Sequence, residues 1–369
     1  MTDFARRMRL IDSSGIRKVF DLAQQLEHPI NLSIGQPDFD VPEPARRAAV
    51  EAIEHGLNKY TVTQGIPELH ERIRDYVRPR MDPDGKGVLV TSGVSGGLVL
   101  SLLVLVDPGD EVVVTDPCFV MYQHLVNLCG GVVRCVDTYP DFALDPAGVE
   151  AALSERTKVI ILNSPANPTG AVYEREALEA VAALARRRGI LVISDEIYSE
   201  FVYDGPYASI GEVYDRTLLL DGFSKTYGMT GWRVGFAVGP PDVIEKMTML
   251  QQYSFVCAPS MSQHGALAAL DLDPGAFRDA YRRKRDLVYE GLREAFDVVE
   301  PRGAFYIFPR APEGADATAF VERAIANNVL IIPGNVFSRR DTHFRISYAT
   351  DDETLKRGVA VLRDLATGA

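Results

Sequence analysis

The stretch Asp221-Gly-Phe-Ser-Lys-Thr-Tyr-Gly-Met-Thr-Gly-Trp-Arg-Val-Gly235 places a lysine, Lys225, and an arginine, Arg233, between two short apolar runs. Residues 217–220 form the first run and residues 234–238 the second, and both are typical of buried strands. A lysine is costly to bury unless it is paired, neutral or covalently modified. Since a lone lysine in a loop usually points into water, the interpretation of Lys225 depends on the rest of the chain.

From residue 88 onward, short apolar runs alternate with stretches of helical periodicity. Runs rich in Val, Ile and Leu with helical connections are typical of a parallel sheet that helices cover on both faces. The connection around Lys225 is too short for a helical crossover, so we expect one strand there to be antiparallel. The predicted strands are Val88–Val90, Val112–Val114, Val132–Val136, Val159–Leu162, Ile190–Ile193, Leu218–Leu220 and Val234–Val238. The predicted helices between them include Leu98–Val106, Phe119–Leu128 and Arg175–Arg187.

The C-terminal part has a different pattern, in which short strands and helices mix after a long helix over Ala276–Phe296. The predicted strands are Val298–Glu300, Phe305–Phe308, Leu330–Ile332 and Phe344–Ser347, and the predicted helices are Thr318–Asn327 and Asp352–Leu365. We therefore predict an α/β fold with a large domain on a mainly parallel seven-stranded sheet covered by helices, plus a smaller α+β domain. The predicted division is 1–45 for an N-terminal arm and part of the small domain, 46–273 for the large domain, and 274–369 for the small C-terminal domain.

The composition excludes several classes of function. The chain has 39 Lys and Arg against 51 Asp and Glu, a formal net charge of −12, which argues against non-specific binding to nucleic acid or anionic membranes. The longest apolar run, residues 96–106, is too short to cross a bilayer, and the N-terminus lacks the apolar core of a secretory signal. Because Cys118, Cys129, Cys135 and Cys257 form no C-x-x-C pair and the histidines form no ligand pattern, we expect a cytoplasmic protein with reduced thiols and no bound metal.

Polar and aromatic groups follow the predicted strands at the edge where open α/β sheets bind their ligands. The glycine- and serine-rich stretch Thr91–Gly97 opens a helix, which suits an anion, although such turns are common without one. Phe119 follows the next strand and is suited to stack on a flat ligand, with a core position as the commoner alternative. The groups that follow the later strands are Asn167, Asp195, Tyr198, Lys225 and Arg233.

One ligand uses all of these groups, and it is pyridoxal phosphate. Its aldehyde forms an imine with a lysine, and a carboxylate such as Asp195 keeps its ring nitrogen protonated. Its phosphate suits the glycine-rich turn and an arginine, while its ring suits an aromatic face. We therefore predict pyridoxal 5′-phosphate as the cofactor.

Three motifs in this order resemble those of the class I aminotransferases of the aspartate aminotransferase superfamily, which are pyridoxal phosphate enzymes of fold type I. They are N-x-P-x-N-P-T-G at residues 163–170, D-E-x-Y at 195–198 and S-K-x-x-x-x-x-G-W-R-x-G at 224–235. The resemblance extends from L-S-I-G-Q-P-D at 32–38 to R-I-S-Y-A-T at 345–350. It implies an aminotransferase that moves the amino group of an L-amino acid to a 2-oxo acid by a ping-pong mechanism, acting as a homodimer with shared active sites.

The resemblance also implies a role for each matching residue. Lys225 matches the Schiff-base lysine, which also serves as general base on the substrate α-proton. Asp195 matches the partner of the pyridine nitrogen, and Tyr198 and Asn167 match the ligands of the phenolic oxygen. Phe119 matches the residue that stacks on the ring. The implied phosphate contacts are Val94, Ser95, Ser224, Arg233 and, from the neighbouring subunit, Tyr60. The implied substrate-binding residues are Arg345 and Gly35 at the α-carboxylate, together with Asn167.

Two positions depart from patterns in some members of this family. Gly222 stands three residues before Lys225, where some branches have a phosphate-binding serine, so that phosphate contact is expected to be either missing or supplied by another group. Cys118 stands where a tyrosine is frequent, beside the predicted stacking residue. Neither departure removes a catalytic group.

Other functions remain open from the residues alone. A lyase of the same fold, such as a C–S lyase, would use the same lysine, carboxylate and arginine, and would release pyruvate and ammonia without an acceptor. A serine hydrolase would use Ser95 in Gly93-Val-Ser-Gly-Gly97, with His264 or His343 as its base, but would leave the other motifs unexplained. A third alternative is a non-catalytic module that senses an effector, as in regulators that carry this fold. No DNA-binding domain is predicted before residue 30, which argues against this alternative.

The substrate side chain is expected to lie between an arm near Ser13–Ile16, the segment Phe119–Tyr122 and residues across the dimer. No second cation is evident for a distal carboxylate. We therefore favour a neutral or aromatic amino acid over aspartate or glutamate as the donor.

Overall fold

The computed structural model describes residues 4–11, 15, 26–312 and 316–368, so most of the predicted arm segment Ser13–Ile16 lies outside the described residues. The strands, in chain order, are β1 (Ile30–Asn31), β2 (Gly87–Thr91), β3 (Glu111–Asp116), β4 (Val132–Asp137), β5 (Thr157–Asn163), β6 (Leu191–Asp195), β7 (Thr217–Gly222), β8 (Gly235–Gly239), β9 (Tyr306–Ile307), β10 (Val329–Leu330), β11 (Ile332–Pro333) and β12 (Phe344–Ser347).

The helices in the described part are α1 (Glu43–Glu54), α2 (Pro67–Val77), α3 (Gly93–Leu105), α4 (Val120–Leu128), α5 (Pro146–Ala152), α6 (Arg175–Arg188), α7 (Phe223–Thr226), α8 (Pro241–Gln252), α9 (Ser260–Ala269), α10 (Gly275–Leu292), α11 (Ala317–Ala326) and α12 (Asp352–Thr367). Short 3₁₀ helices occur at Arg6–Arg9, Ile210–Glu212, Thr230–Trp232 and Gly334–Val336. None of the helices in the described ranges is long and apolar enough to cross a membrane.

The central sheet has seven strands in the order β2-β8-β7-β6-β5-β3-β4, which confirms the predicted α/β class. Strand β8 is antiparallel to both of its neighbours, β2 and β7, whereas the other pairs are parallel. The short connection that carries Lys225 joins β7 to β8, so the expected antiparallel strand is confirmed.

Both faces of this sheet are covered by apolar side chains. On β5, Ile161 packs in one core cluster while its neighbour Ile160 packs in another on the opposite face. The same alternation occurs on β3, where Val112 and Val113 belong to the two different clusters. Because successive residues of a strand point to opposite faces, continuous apolar runs are what a doubly covered sheet requires.

The C-terminal region has its own small sheets and its own core. Strand β12 pairs antiparallel with β11 and β9, and β1 of the N-terminal segment pairs parallel with β10. Ile30 and Leu32 pack in the core cluster formed mainly by this region. We propose on these grounds the division into 1–45, 46–273 and 274–369, with the first boundary falling inside α1.

The strand predicted at Val298–Glu300 is wrong. This segment makes no ladder, because Pro301 follows it without an N–H and the next two amides, of Arg302 and Gly303, donate to Gly170 instead. The strand predicted at Leu330–Ile332 is divided between β10 and β11, which belong to different sheets.

Candidate active site

The carboxyl ends of the central strands surround one cavity of about 630 Å³. Eleven of the twelve residues predicted for the site line it: Gly35, Val94, Ser95, Phe119, Asn167, Asp195, Tyr198, Ser224, Lys225, Arg233 and Arg345. The twelfth, Tyr60, does not line the cavity of its own chain, and its side chain is 83% exposed.

The parallel register of the strands brings these groups together. Asn163 at the end of β5 is the register partner of Asp195, and Asp195 at the end of β6 is the partner of Leu220 on β7. The loops that carry Asn167 and Lys225 therefore start from neighbouring points on one edge of the sheet. The Asn163 amide ties two of them together, because its Nδ2 donates to the Asp195 carbonyl and its Oδ1 accepts from the Asn167 backbone N–H.

Asp195 is a buried carboxylate, 3% exposed, that forms no ion pair with any described residue. Its Oδ2 accepts a hydrogen bond from the Tyr122 hydroxyl at 2.7 Å, and its Oδ1 accepts from the Ile197 backbone N–H at 3.3 Å. Burial raises the pKa of Asp195 to about 6, with a further upward contribution from Glu196. The two hydrogen bonds and Lys225 oppose this rise. A cation placed against Asp195 would restore its ionised form.

Lys225 lies in α7, just beyond β7, and its Nζ donates to the Gly35 carbonyl. Burial lowers the pKa of Lys225 to about 8, and the positive charges of Arg345 and Arg233 lower it further than Asp195 raises it. A lysine in this state supplies an appreciable fraction of neutral amine near pH 8, as a nucleophile or a general base requires.

Arg345 is a cation without a counter-charge among the described residues. It is 1% exposed, and its Nη1 donates to the Asn167 Oδ1 at 2.9 Å and its Nη2 to the Ser33 carbonyl at 2.8 Å. Its guanidinium lies between the rings of Tyr306 and Phe337, and its buried Nε has no hydrogen-bond partner. Burial lowers the pKa of Arg345. This arrangement is suited to a small carboxylate, which would take up the unused donors and compensate the charge.

The aromatic groups of the site are held by edge contacts. Phe119 precedes α4 and meets Tyr122 edge-on at 5.7 Å between ring centroids. The Tyr198 hydroxyl is hydrogen-bonded to the Tyr306 hydroxyl at 2.9 Å. Gly35 passes so close to Tyr306 that a Cβ there would lie 2.6 Å from the hydroxyl oxygen, which accounts for a glycine at this position.

The opposite side of the cavity is suited to an anion. Helix α3 begins at Gly93, and the side chain of the preceding Ser92 does not cap it. Val94 and Ser95 lie in the first turn of this helix and line the cavity. The N-terminus of a helix favours an anion. Arg233 adds a positive charge, with Nη1 donating to the Thr230 carbonyl and Nη2 to the Ser92 carbonyl. Its backbone is left-handed, with φ of 55°, a strained conformation for a residue other than glycine.

Gly222 has a packing reason to lack a side chain. A Cβ at this position would lie 2.8 Å from the Cα of Gly235 on the adjacent β8. A serine therefore does not fit here without moving the backbone, and an anion in this part of the cavity would depend on Val94, Ser95, Ser224 and Arg233.

A buried ion-pair cluster holds the ends of β6 and β7 beneath the cavity. The Arg80 Nη1 donates to Glu196 at 3.1 Å, to the Ser199 hydroxyl at 2.9 Å and to Asp221 at 2.8 Å. Glu196 follows Asp195, and Asp221 lies four residues before Lys225. The Arg80 guanidinium thus links the strand ends that lead to Asp195 and Lys225.

Asn163 and Tyr306 line the cavity but were not among the predicted site residues, and Tyr122 was predicted only as part of the substrate pocket, not as a partner of Asp195. A signal existed for Tyr122, because it lies three residues after Phe119 and therefore on the same face of a helix. Tyr306 comes from β9 of the C-terminal region, and its contact with Tyr198 spans 108 positions of the chain.

The serine hydrolase alternative finds no support in the geometry. Ser95 lines the cavity, but neither His264 nor His343 is among the described residues that line it. His343 instead lies against Tyr139, Phe142 and Phe308, where burial lowers its pKa to about 4.

The chain is similar to known proteins over nearly its whole length. Residues 27–362 match the family described as aminotransferase class I and II. A probable aspartate aminotransferase of Methanocaldococcus jannaschii is 39% identical, covering 97% of this chain and 98% of that protein. An aromatic-amino-acid aminotransferase 2 of Thermococcus litoralis is 38% identical over 96% of this chain and 95% of that protein. The structure of an aspartate aminotransferase from Thermus thermophilus with maleate superposes with a TM-score of 0.94 at 37% identity, covering 99% of this chain and 100% of that one.

The Arg80 cluster generates a stability prediction. Replacing Arg80 with Met leaves Glu196 and Asp221 buried without their cation, and is expected to lower the free energy of unfolding by about 3–5 kcal/mol. Arg78→Met is the matched control, because Arg78 pairs with Asp84 on the surface and such pairs contribute about 0–1 kcal/mol. Urea unfolding of both variants measures the difference. Equal losses in the two variants would show that the cluster does not stabilise the strand ends.

The lowered pKa of Lys225 predicts a pH dependence in protein freed of cofactor. Between about 8, the folded value, and 10.5, the ordinary value, the unfolded state binds more protons than the folded state, so stability rises with pH. We expect the unfolding free energy of the wild type, minus that of Lys225→Met, to rise by roughly 1–3 kcal/mol over this window, allowing for partial exposure. Urea unfolding at intervals from pH 7.5 to 10.5 measures this difference, and a flat or falling difference would contradict the lowered pKa.

Proposed function

The chain belongs to the class I and II aminotransferase family and is an aminotransferase, and we propose that it moves the amino group of an L-amino acid to a 2-oxo acid with its own bound pyridoxal phosphate. Members of this family use that cofactor. The observation that carries the proposal is the pairing, in one cavity, of a buried carboxylate without a cation, Asp195, with a lysine of lowered pKa, Lys225.

The residues present fit the cofactor. Asp195 would face the ring nitrogen. When protonated, that nitrogen would be the cationic partner that Asp195 does not find among the described residues. Phe119 would stack on the ring, and Tyr198 and Asn167 would hold its phenolic oxygen. The phosphate would be held by the first turn of α3 at Val94 and Ser95, together with Ser224 and Arg233. Because Gly222 has no room for a hydroxyl side chain, these groups carry the contacts that it does not make.

When bound, the cofactor supplies an electron sink for the charge that develops at the substrate α-carbon. Asp195 keeps that sink effective by holding the proton at the ring nitrogen. The Lys225 amine removes the α-proton as general base, and its lowered pKa makes the neutral amine available near pH 8. The same Nζ can then deliver the proton to the carbon that carried the aldehyde of the cofactor. One residue therefore moves the proton in both directions of the reaction.

The substrate α-carboxylate would bind Arg345. The Nε of this residue is buried without a partner, and its Nη1 already bonds Asn167, so the guanidinium is held ready in one orientation. The stacking of Tyr306 and Phe337 excludes water from the ion pair and strengthens it. Lys225 lines the same cavity, so a substrate held at Arg345 would present its α-carbon to the Lys225 amine.

We also propose a homodimer in which Tyr60 completes the phosphate site of the neighbouring subunit. An exposed apolar patch is formed by Tyr60, Val62, Tyr253, Phe255 and Val256. Its two segments are joined, because the Gln251 side chain at the end of α8 donates to the Thr63 carbonyl. The patch adjoins the anion side of the cavity, since Phe255 lies next to Gly96 in the first turn of α3.

We also propose a cytoplasmic location, from the cysteine pattern of the sequence. Relatives of 39% and 38% identity are named for aspartate and for aromatic amino acids, and both classes of donor are compatible with this reaction.

The role of Lys225 can be tested directly. Borohydride treatment of protein loaded with pyridoxal phosphate is expected to attach the cofactor irreversibly to the peptide that contains Lys225, as found by mass spectrometry. Lys225→Ala should keep its fold by circular dichroism, lose this labelling and lose roughly 10²-fold or more of its transamination rate. Lys158→Ala, at an exposed lysine of β5, is the control and should behave as the wild type. Label on another lysine, or normal turnover in Lys225→Ala, would remove Lys225 from this role.

The homodimer predicts a particle of twice 40.6 kDa in sedimentation velocity. Tyr253→Asp places a charge in the apolar patch and should shift the protein toward monomer, because a buried unpaired charge is costly. A monomeric wild type, or a variant that sediments as the wild type does, would contradict the assignment of this patch.

A further inference from the structure

We propose that the amino donor of this enzyme carries an apolar or aromatic side chain, which lies against a surface formed by Ile11, Met121, Leu125 and Leu128. We call this surface the α4 wall, because three of its members lie on that helix. The inference rests on the proposed function and adds to it the chemical class of the substrate.

The α4 wall is a continuous apolar face within the cavity. Met121, Leu125 and Leu128 are spaced four and three residues apart, so they lie on one side of α4. All three line the same cavity as Lys225 and Arg345. Each is only half-buried, whereas Tyr122 and Val126 on the same helix are buried. Apolar surface is thus left uncovered inside the site.

The N-terminal segment completes this wall. The 3₁₀ helix Arg6–Arg9 packs on α4, and the Asn127 side chain donates to the Leu10 carbonyl at 3.4 Å. Ile11, the next residue, lines the cavity and is half-buried. The apolar surface therefore extends from the helix onto a second segment of the chain, as a site for a bulky side chain requires.

The charged groups of the cavity are all engaged at the reacting centre. The cations among its described lining residues are Lys225, Arg233 and Arg345. Lys225 donates a hydrogen bond to the Gly35 carbonyl, and Arg233 donates to the Ser92 carbonyl just before α3. Arg345 donates to the Asn167 side chain and to the Ser33 carbonyl. The remaining basic side chain, His124, has its Nδ1 enclosed by protein without a partner. Within the described lining, a second carboxylate would lose its hydration without gaining a cation.

The apolar α4 wall and the lack of a free cation in the described lining favour the same class of donor. Each methylene that a substrate places in an apolar pocket changes kcat/KM by roughly 10- to 200-fold, so a leucine or phenylalanine side chain gains strongly from the α4 wall. A carboxylate transferred to such a surface without a partner is penalised. Aspartate and glutamate should therefore react more slowly than apolar donors of similar length.

The donor half-reaction tests this without any choice of acceptor. Phenylalanine, leucine, aspartate and glutamate are mixed singly with the cofactor-loaded dimer, and the cofactor absorbance is followed through one turnover. We expect phenylalanine or leucine to exceed both acidic donors at least about 10-fold in rate constant over apparent dissociation constant. An acidic donor that equals or exceeds them would overturn the inference while leaving the aminotransferase function intact. If no amino acid changes the absorbance, the proposed function itself fails.

A matched pair of leucine variants tests the wall. Leu125→Ala should reduce the rate with phenylalanine at least about 10-fold and the rate with alanine less than about 3-fold, because only the larger donor reaches the wall. Leu103→Ala, at a leucine of α3 that is 47% exposed and does not line the cavity, should leave both rates unchanged. Parallel losses for both donors, or no loss in Leu125→Ala, would contradict the assignment.

A binding measurement completes the test without catalysis. Titration calorimetry of the loaded enzyme compares 3-phenylpropanoate with succinate, which share one carboxylate and differ in the other end. We expect the phenyl compound to bind at least about 10-fold more tightly. Tighter binding of succinate would overturn the proposal even if Leu125→Ala failed to fold.

Discussion

The site depends on buried charges that the protein leaves without partners. Asp195 lies at the end of β6 with no cation against it, and Arg345 lies nearly fully buried with no carboxylate against it, within the described residues. Either group alone is unfavourable, and the structure retains both because hydrogen bonds from Tyr122 and to Asn167 partly replace the missing charges. A ligand that brings a positive ring nitrogen and a carboxylate would compensate both at once. Lys225 lines the same cavity, and burial, followed by the charges of Arg345 and Arg233, lowers its pKa.

The apolar sheet makes these unfavourable groups possible. Strands β3, β6 and β7 are buried along their entire length, so their ends cannot move to let water reach Asp195. The Arg80 cluster adds a second constraint, because one guanidinium holds Glu196 and Asp221 on adjacent strands. Asp195 and Lys225, the two groups proposed for catalysis, are therefore spaced by the rigid part of the molecule. The residues proposed to contact substrate come instead from more distant segments, such as Arg345 on β12.

The sequence predicts the sheet well because its signals are local. Short runs that are mostly apolar predict all seven strands, and the rule that ligands bind at their carboxyl ends points to Asp195 and Lys225 without any relative. Arg345, Gly35 and Tyr60 required the resemblance, because nothing beside them in the chain indicates a site. Neither the local sequence signals nor the resemblance predicted Tyr306, because its contact with Tyr198 joins distant parts of the chain. The prediction of a strand at Val298–Glu300 was wrong for a similar reason. The backbone N–H groups of the neighbouring residues 302–303 donate to the carbonyl of Gly170, which is distant in the chain.

We propose that Asp195 holds a proton on the cofactor ring, and nitrogen-15 NMR of enzyme loaded with ring-labelled pyridoxal phosphate tests this role directly. Deprotonation of a pyridine nitrogen moves its resonance far downfield, so the state of the ring can be read at each pH. We expect a protonated nitrogen from pH 6 to 9 in the wild type and a neutral nitrogen at pH 8 in Asp195→Ala. A neutral ring nitrogen in the wild type at pH 7, with Asp195 in place, would contradict it.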